Sequence, residues 1–403
     1  MRPVYVTGVG LHPFGRFADR SLTALGVSAV RSALADAGVG REGFQAAFCG
    51  TVYGGVATGH KVLTALGLSG VPTINVEAVC ASGGAALSLA AAQVANGQHD
   101  TVLVFGVEKM PRGMIRSSFF EPWREEAGLA ATPAYFALRA QRLMLESDVR
   151  PTDLAAVSVK NHRHGVHNPH AMYRKELSAE EVLASPLVCE PLRLLMLCSP
   201  NEGAAAVVVS ATPRAPAVRI LAAALRSHLA GSVLGEHTPL SGIADEALPT
   251  PTQMAARAAY EAASLGPADI DLVEVQDTDA AREILSAEEL GLCPPHGGGR
   301  WVRENGGTMG SRLPVNASGG LLSKGEPLGA SALGQVVELT WQLRGSAGPR
   351  QVRSAGVALA HTVGRGANAC VVILGLDVTK NRVSGRRPKN EKTLRGDRTA
   401  VSS

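Results

Sequence analysis

Two residues stand where the sequence could do chemistry. Cys80 follows the strand-like run TINVEAV and precedes Ala81-Ser82-Gly83-Gly84, after which an alanine-rich helix runs to just before Gly97. A cysteine at such a turn sits by the positive end of a helix dipole, where backbone N–H groups favour the reactive thiolate. Its small neighbours would let a substrate approach the sulfur closely. The second candidate is Glu326, in Gly325-Glu326-Pro327, ahead of a run from Gly329 to Arg344 that reads as a helix. Pro327 can set the start of that helix. Periodicity alone does not say where the Glu326 side chain points.

Other features carry less. His162, His164, His167 and His170 cluster in NHRHGVHNPH, but no acidic residue or cysteine completes a tetrahedral metal set. TGVGLHPFG starts like a dinucleotide loop, yet Pro13 stands where the last glycine is needed, so it reads as a first strand and its turn. Cys189 and Cys198 lie in an apolar run and read as core residues.

The elements that must position Cys80 and Glu326 show an internal duplication. VRSALADAGVGREGFQAAFCG runs helix, Gly38, turn, strand, and ARAAYEAASLGPADIDLVEVQ repeats that order through Gly266-Pro267 to a strand at 271–275. A glycine beyond each helix supplies the left-handed cap. GAAAVVVSA at 203–211 and GANACVVILG at 366–375 close the two halves as buried strands. The first half is longer by roughly 65 residues, an insertion placed at about 109–191, of a size that usually lies over a site. The Pro- and Ala-rich segment 212–219 is the joint.

The 403 residues are 45% hydrophobic and 18% charged, enough for a large α/β core of mostly small side chains, since aromatics are only 4%. Residues 379–403 hold eight Lys/Arg against Glu391 and Asp397, so a net charge of +4 divides into a tail of +6 and a body of −2. The body therefore shows no nucleic-acid surface, and the tail reads as disordered. The six cysteines form no CxxC pair, which fits a reducing, cytoplasmic setting, and no apolar run is long enough for a membrane span.

NVEAVCASGGAAL, NASGGLLSKGEPLGAS and HTVGRGANACVVIL together resemble the thiolase superfamily, in its sterol-carrier-protein-type or bacterial lipid-transfer branch, over residues 3–376. The resemblance implies α/β architecture with two βαβαβαββ halves in five αβαβα layers. The divisions would be 1–212, with its inserted loop domain, then 213–378, then the tail 379–403. It also implies a homodimer or tetramer, a possible zinc-ribbon/OB-fold partner protein, and a coenzyme A thioester as substrate with no permanent cofactor. The cysteine matching Cys80 takes up an acyl group in that family.

The catalytic pattern departs from the family in three places. Glu326 replaces the usual Gly-His-Pro histidine, Gln276-Asp277-Thr278-Asp279 replaces His-Asp-Cys-Phe, and Thr362 stands at the Cys-x-Gly cysteine. The likeness puts Gly364 at the oxyanion glycine, leaves Gln276 and Asn316 as substrate-binding candidates, and makes His361 the histidine available to Cys80. Two enzymatic readings follow. Cys80, His361 and Glu326 could form a rewired nucleophile–base–orienter set for acyl transfer, or Glu326 could be the base of a carbon–carbon step such as retro-aldol cleavage. A non-catalytic acyl-CoA or lipid-binding subunit stays open beside them.

Overall fold

A computed structural model describes residues 1–67, 70–113, 126, 131–229, 248–364 and 368–377. The expected tail at 379–403 lies outside them, as does part of the expected insertion. The strands are β1 (Tyr5–Gly15), β2 (Ala46–Gly50), β3 (Thr73–Val76), β4 (Thr101–Lys109), β5 (Leu187–Cys189), β6 (Leu192–Arg193), β7 (Glu202–Ser210), β8 (Val218–Ser227), β9 (Leu272–Val275), β10 (Val357–Val363) and β11 (Asn368–Leu376). The α-helices in the first half are α1 (Leu22–Ala37), α2 (Thr58–Ala65), α3 (Ser82–Ala95), α4 (Thr132–Glu146), α5 (Pro151–Gly165) and α6 (Ala179–Ala184). Those in the second are α7 (Pro251–Ala263), α8 (Ala280–Glu289), α9 (Gly298–Arg303), α10 (Gly320–Lys324) and α11 (Leu328–Leu343).

Nine strands run in the order β3-β2-β4-β7-β1-β8-β11-β10-β9. The two halves mirror each other about the β1–β8 contact, which consists of Tyr5↔Arg219 and Val6↔Val218. On one side β2 pairs parallel with β3 and β4, and β4 antiparallel with β7. On the other, β9 pairs parallel with β10 and bridges Val315, and β10 pairs antiparallel with β11. Between β4 and β7 the first half inserts α4–α6, whereas β10 and β11 follow each other directly.

Strand alternation sorts the side chains into layers. Leu103, Phe105 and Val107 of β4 pack with Leu25, Ala29 and Val30 of α1. Val102 and Val104, on the opposite face, pack with α3 and α11. In the second half Leu359 joins Ala255 and Ala259 of α7, while Ala358 and Ala360 turn inward to the same central layer. The result is α1, half-sheet, α3 with α11, half-sheet, α7: five layers.

The central layer explains the small residues. A Cβ on Gly106 would lie 2.0 Å from the Gly329 carbonyl oxygen, and one on Gly50 would lie 2.8 Å from the Gly83 nitrogen. The first turns of α3 and α11 are thus pressed against β2, β4 and each other. That crossing brings the starts of the two central helices together. Gly38 takes the expected left-handed cap of α1 at φ 65°. In the second half Ser264 at φ 54° caps α7, not Gly266, because the helix has already ended at Ala263.

Candidate active site

Cys80 lies in a single 3-10 turn, Val79–Ala81, that runs into α3. Val79 takes a φ of 52°, a strained conformation for a β-branched residue. Ser82 holds the turn in place: its Oγ accepts from Ala78 N–H at 2.8 Å and donates to Val79 O at 2.6 Å. Glu77 accepts the Val79 N–H at 2.8 Å. The strain is therefore locked by local hydrogen bonds in the turn that carries Cys80.

Glu326 follows Gly325, whose φ of 85° suits glycine, and precedes α11 by one residue. Its backbone is zipped to the segment before β7. Glu326 N–H donates to Ser199 O at 2.9 Å, and Pro200 and Glu326 form a parallel bridge. The carboxylate collects three side-chain donors. Gln276 Nε2 reaches Oε1 at 2.7 Å, Cys198 Sγ reaches Oε2 at 3.4 Å, and the Cys80 thiol is the third. The positive ends of α3 and α11 thus converge on the Cys80–Glu326 pair.

Burial decides the electrostatics. Glu326 is 5% exposed and Cys80 7%. Desolvation pushes the Glu326 carboxyl above the usual carboxylate range, outweighing the donors from Cys80, Gln276 and Cys198 that favour its charged form. Burial first, then the neighbouring Glu326 carboxylate, hold the Cys198 thiol well above the usual thiol range. Glu326 is therefore a base of raised proton affinity set between two thiols.

His361 is not part of this group. Along β10, Thr362 Oγ1 lies near Gly84 of α3, so His361, one residue earlier, points to the other face of the sheet. There its Nε2 is 3.0 Å from Thr252 Oγ1 of α7. Burial, with the Arg282 guanidinium second, keeps its pKa well below the ordinary imidazole range. The set Cys80–His361–Glu326 is thus corrected: the sheet separates the imidazole from the sulfur, and strand alternation in HTVGRG already carried that signal.

Cys198, expected in the core, lies beside Glu326 instead. Its N–H donates to Thr278 O at 2.9 Å, so the sulfur stands beside the loop where the family motif would carry its cysteine. Gln276 is a bridge: its Nε2 holds Glu326, and its Oε1 accepts the Val363 N–H. Two substrate-binding expectations also change. Asn316 Oδ1 accepts Val275 N–H at 2.9 Å and its Nδ2 donates to Glu283 at 2.8 Å, both inside a buried network, so Asn316 fixes the end of β9. The Gly364 N–H donates to Asn368 O at 2.7 Å and is not presented to an oxyanion. Gly364 instead allows close packing, since a Cβ there would lie 2.1 Å from Ala78 O.

Comparison with known proteins identifies the family. Residues 4–212 match the family model described as "Thiolase, N-terminal domain", and residues 234–376 match "Thiolase C-terminal domain-like". The chain belongs to the thiolase superfamily. Thiolase relatives include the acetyl-CoA acetyltransferase of Methanothermobacter thermautotrophicus, 37% identical over 90% of this chain and 97% of that protein. Sterol carrier protein 2 of Bos taurus is 36% identical over 92% of this chain and 72% of its own length. The Thauera aromatica benzoylsuccinyl-CoA thiolase subunit BbsB is 36% identical over 91% of this chain and 96% of that subunit. Among solved structures, the Ltp2-ChsH2(DUF35) aldolase superposes with a TM-score of 0.82 at 24% identity, covering 94% of this chain and 98% of that one. Human mitochondrial 3-ketoacyl-CoA thiolase superposes at 0.69 and 16% identity, covering 93% and 99%. These superpositions show the thiolase fold. No helix among the described residues is long and apolar enough to cross a membrane.

Proposed function

We propose that the protein is an acyltransferase that takes an acyl group from a coenzyme A thioester onto Cys80, with Glu326 as the base. The observation that carries this reading is the hydrogen bond from the Cys80 thiol to Glu326. A free thiolate beside a carboxylate is disfavoured by like charge, so the proton moves as the sulfur attacks. Glu326 takes it while the Cys80 sulfur bonds to the thioester carbon. The C–S bond to coenzyme A then breaks, and the leaving thiolate takes the proton back from Glu326. A raised proton affinity suits both transfers, because it brings the carboxyl nearer to working pH. In the second half the acceptor gives its proton to Glu326 and attacks acyl-Cys80, and the released thiolate is reprotonated.

A second reading is favoured by one feature, the carboxylate where an imidazole was expected. Glu326 could take the proton from a β-hydroxyl of a coenzyme A thioester, with the Cα–Cβ bond breaking to an aldehyde or ketone and an enolate. The Ltp2-ChsH2(DUF35) neighbour is named an aldolase, and its name pairs Ltp2 with a DUF35 protein. A partner subunit of that kind, and a homodimer or tetramer, belong to this proposal too.

Intact-mass measurement against a panel of acyl-CoAs tests the first reading. One acyl mass should appear on the wild type and be absent from Cys80→Ala. Cleavage of a β-hydroxyacyl-CoA that persists in Cys80→Ala would favour the second.

A further inference from the structure

The segment Cys198-Ser199-Pro200-Asn201 runs beside Gly325-Glu326 and is tied to it at both ends. Cys198 N–H is fixed to Thr278 O at 2.9 Å, Ser199 O accepts the Glu326 N–H at 2.9 Å, and Asn201 Nδ2 donates to Lys324 O at 2.8 Å. The Cys198 sulfur is thereby held 3.4 Å from Glu326 Oε2, while Gln276 occupies Oε1 at 2.7 Å. Each carboxylate oxygen has its own fixed donor, so the carboxyl plane cannot swing freely away from Cys80.

We propose that Cys198 is a positioning residue for the proton transfer at Cys80, its thiol donating to Glu326 Oε2 so that the carboxylate stays aimed at the nucleophile and ready to accept. This inference rests on the acyl-transfer reading and adds the residue that tunes its base. Thr278 is too weak an acid to titrate as a cysteine does, and it stands where the resembling sequences carry a cysteine. A thiol delivered from the neighbouring segment puts sulfur back beside that loop. With its own pKa held high by burial and by Glu326, Cys198 remains the donor and not the base. Its hydrogen bond favours the ionised form of Glu326, so losing it makes the carboxylate ionise at higher pH.

The test follows iodoacetamide alkylation of Cys80 by peptide mapping across pH, which needs no acyl-CoA, alongside acylation by intact mass. Cys198→Ala and the volume-keeping Cys198→Val remove the donor, whereas Cys198→Ser retains one. The expected result is an acid limb moved to higher pH in the Ala and Val variants. Both reactions should slow on the order of tenfold near neutrality, as for losing one hydrogen bond to a charged group. The Ser variant should keep the wild-type limb. Identical profiles in all variants would overturn the positioning role, as would a Ser variant displaced like Ala. Absence of any acyl adduct on the wild type, with the alkylation shifts intact, would instead remove the acyl-transfer reading and leave Cys198 as the residue that primes Glu326.

Discussion

Gln276 Nε2 donates to Glu326 Oε1 at 2.7 Å, and the same side chain accepts the Val363 N–H, so one amide joins the loop after β9, the end of β10 and the start of α11. Gln276→Glu would place a second carboxyl against Glu326 in a buried site. Two such groups cannot both ionise at ordinary pH, and the proton affinity of the pair rises. The acid limb of Cys80 acylation should move upward, with a fall at pH 7 of about tenfold or more, as one unit of displacement gives. A profile that superposes on the wild type would show that Glu326 is not the titrating base.

Glu326→Gln removes the proposed base but keeps the shape. Acylation should fall by roughly 10²–10⁴-fold, the usual contribution of general-base catalysis. The same variant makes a stability prediction. Because the folded-state pKa is raised above 4.5, the folded protein binds this proton more tightly than the unfolded chain. Stability therefore declines as pH rises from 4.5 to the folded pKa. Glu326→Gln should melt higher than the wild type at pH 7, and the difference should shrink below about pH 4.5. Melting curves at the two pH values read this directly.

Much of the fold was legible because the duplication repeats a whole order of elements, and because GAAAVVVSA and GANACVVILG read as buried strands. The helix expected from Gly329 to Arg344 is α11, Leu328–Leu343. The site was legible only in part. Cys80 and Glu326 each sit beside a helix start, a local signal. Cys198 gave none, since its sulfur meets the Glu326 carboxylate across 128 residues of sequence, a contact no local pattern encodes. His361 was misplaced by alignment of motif positions, where the two-residue period of β10 decides which side chain faces α3. Asn316 carries a functional-looking motif, but its φ of 56° and its buried amide partners mark it as a structural corner.

His361 should therefore be dispensable for chemistry. His361→Asn is expected to acylate Cys80 within about threefold of the wild type while losing about 1–3 kcal/mol of stability from the disrupted contact with Thr252. Its depressed pKa gives a second handle. The imidazole is neutral when folded, whereas the unfolded chain takes up a proton below pH 6.5, so its contribution is present above that value and is lost as pH falls. The variant should be less sensitive than the wild type to acid in denaturant titrations between about pH 6.5 and 4.5. A large loss of acylation with unchanged stability would return His361 to the catalytic set.

Gly364→Ala probes how the second half supports Cys80, the proposed nucleophile of the first. Its Cβ would lie 2.1 Å from Ala78 O and 3.3 Å from Ala81 N, both backbone atoms of the turn that carries Cys80. Neither can yield as a flexible side chain would, so the turn must move. Overpacking of this kind costs about 1–3 kcal/mol. The larger effect should fall on the reaction, since a displacement near 1 Å of an aligned nucleophile lowers rates by about 10²-fold. The Gly364 N–H can keep its bond to Asn368 O in the variant, which separates the two roles considered for this glycine. A loss of acylation accompanied by slower alkylation of Cys80 by iodoacetamide would trace the defect to the displaced turn. Full-rate alkylation of Cys80 in the variant would overturn this account of Gly364.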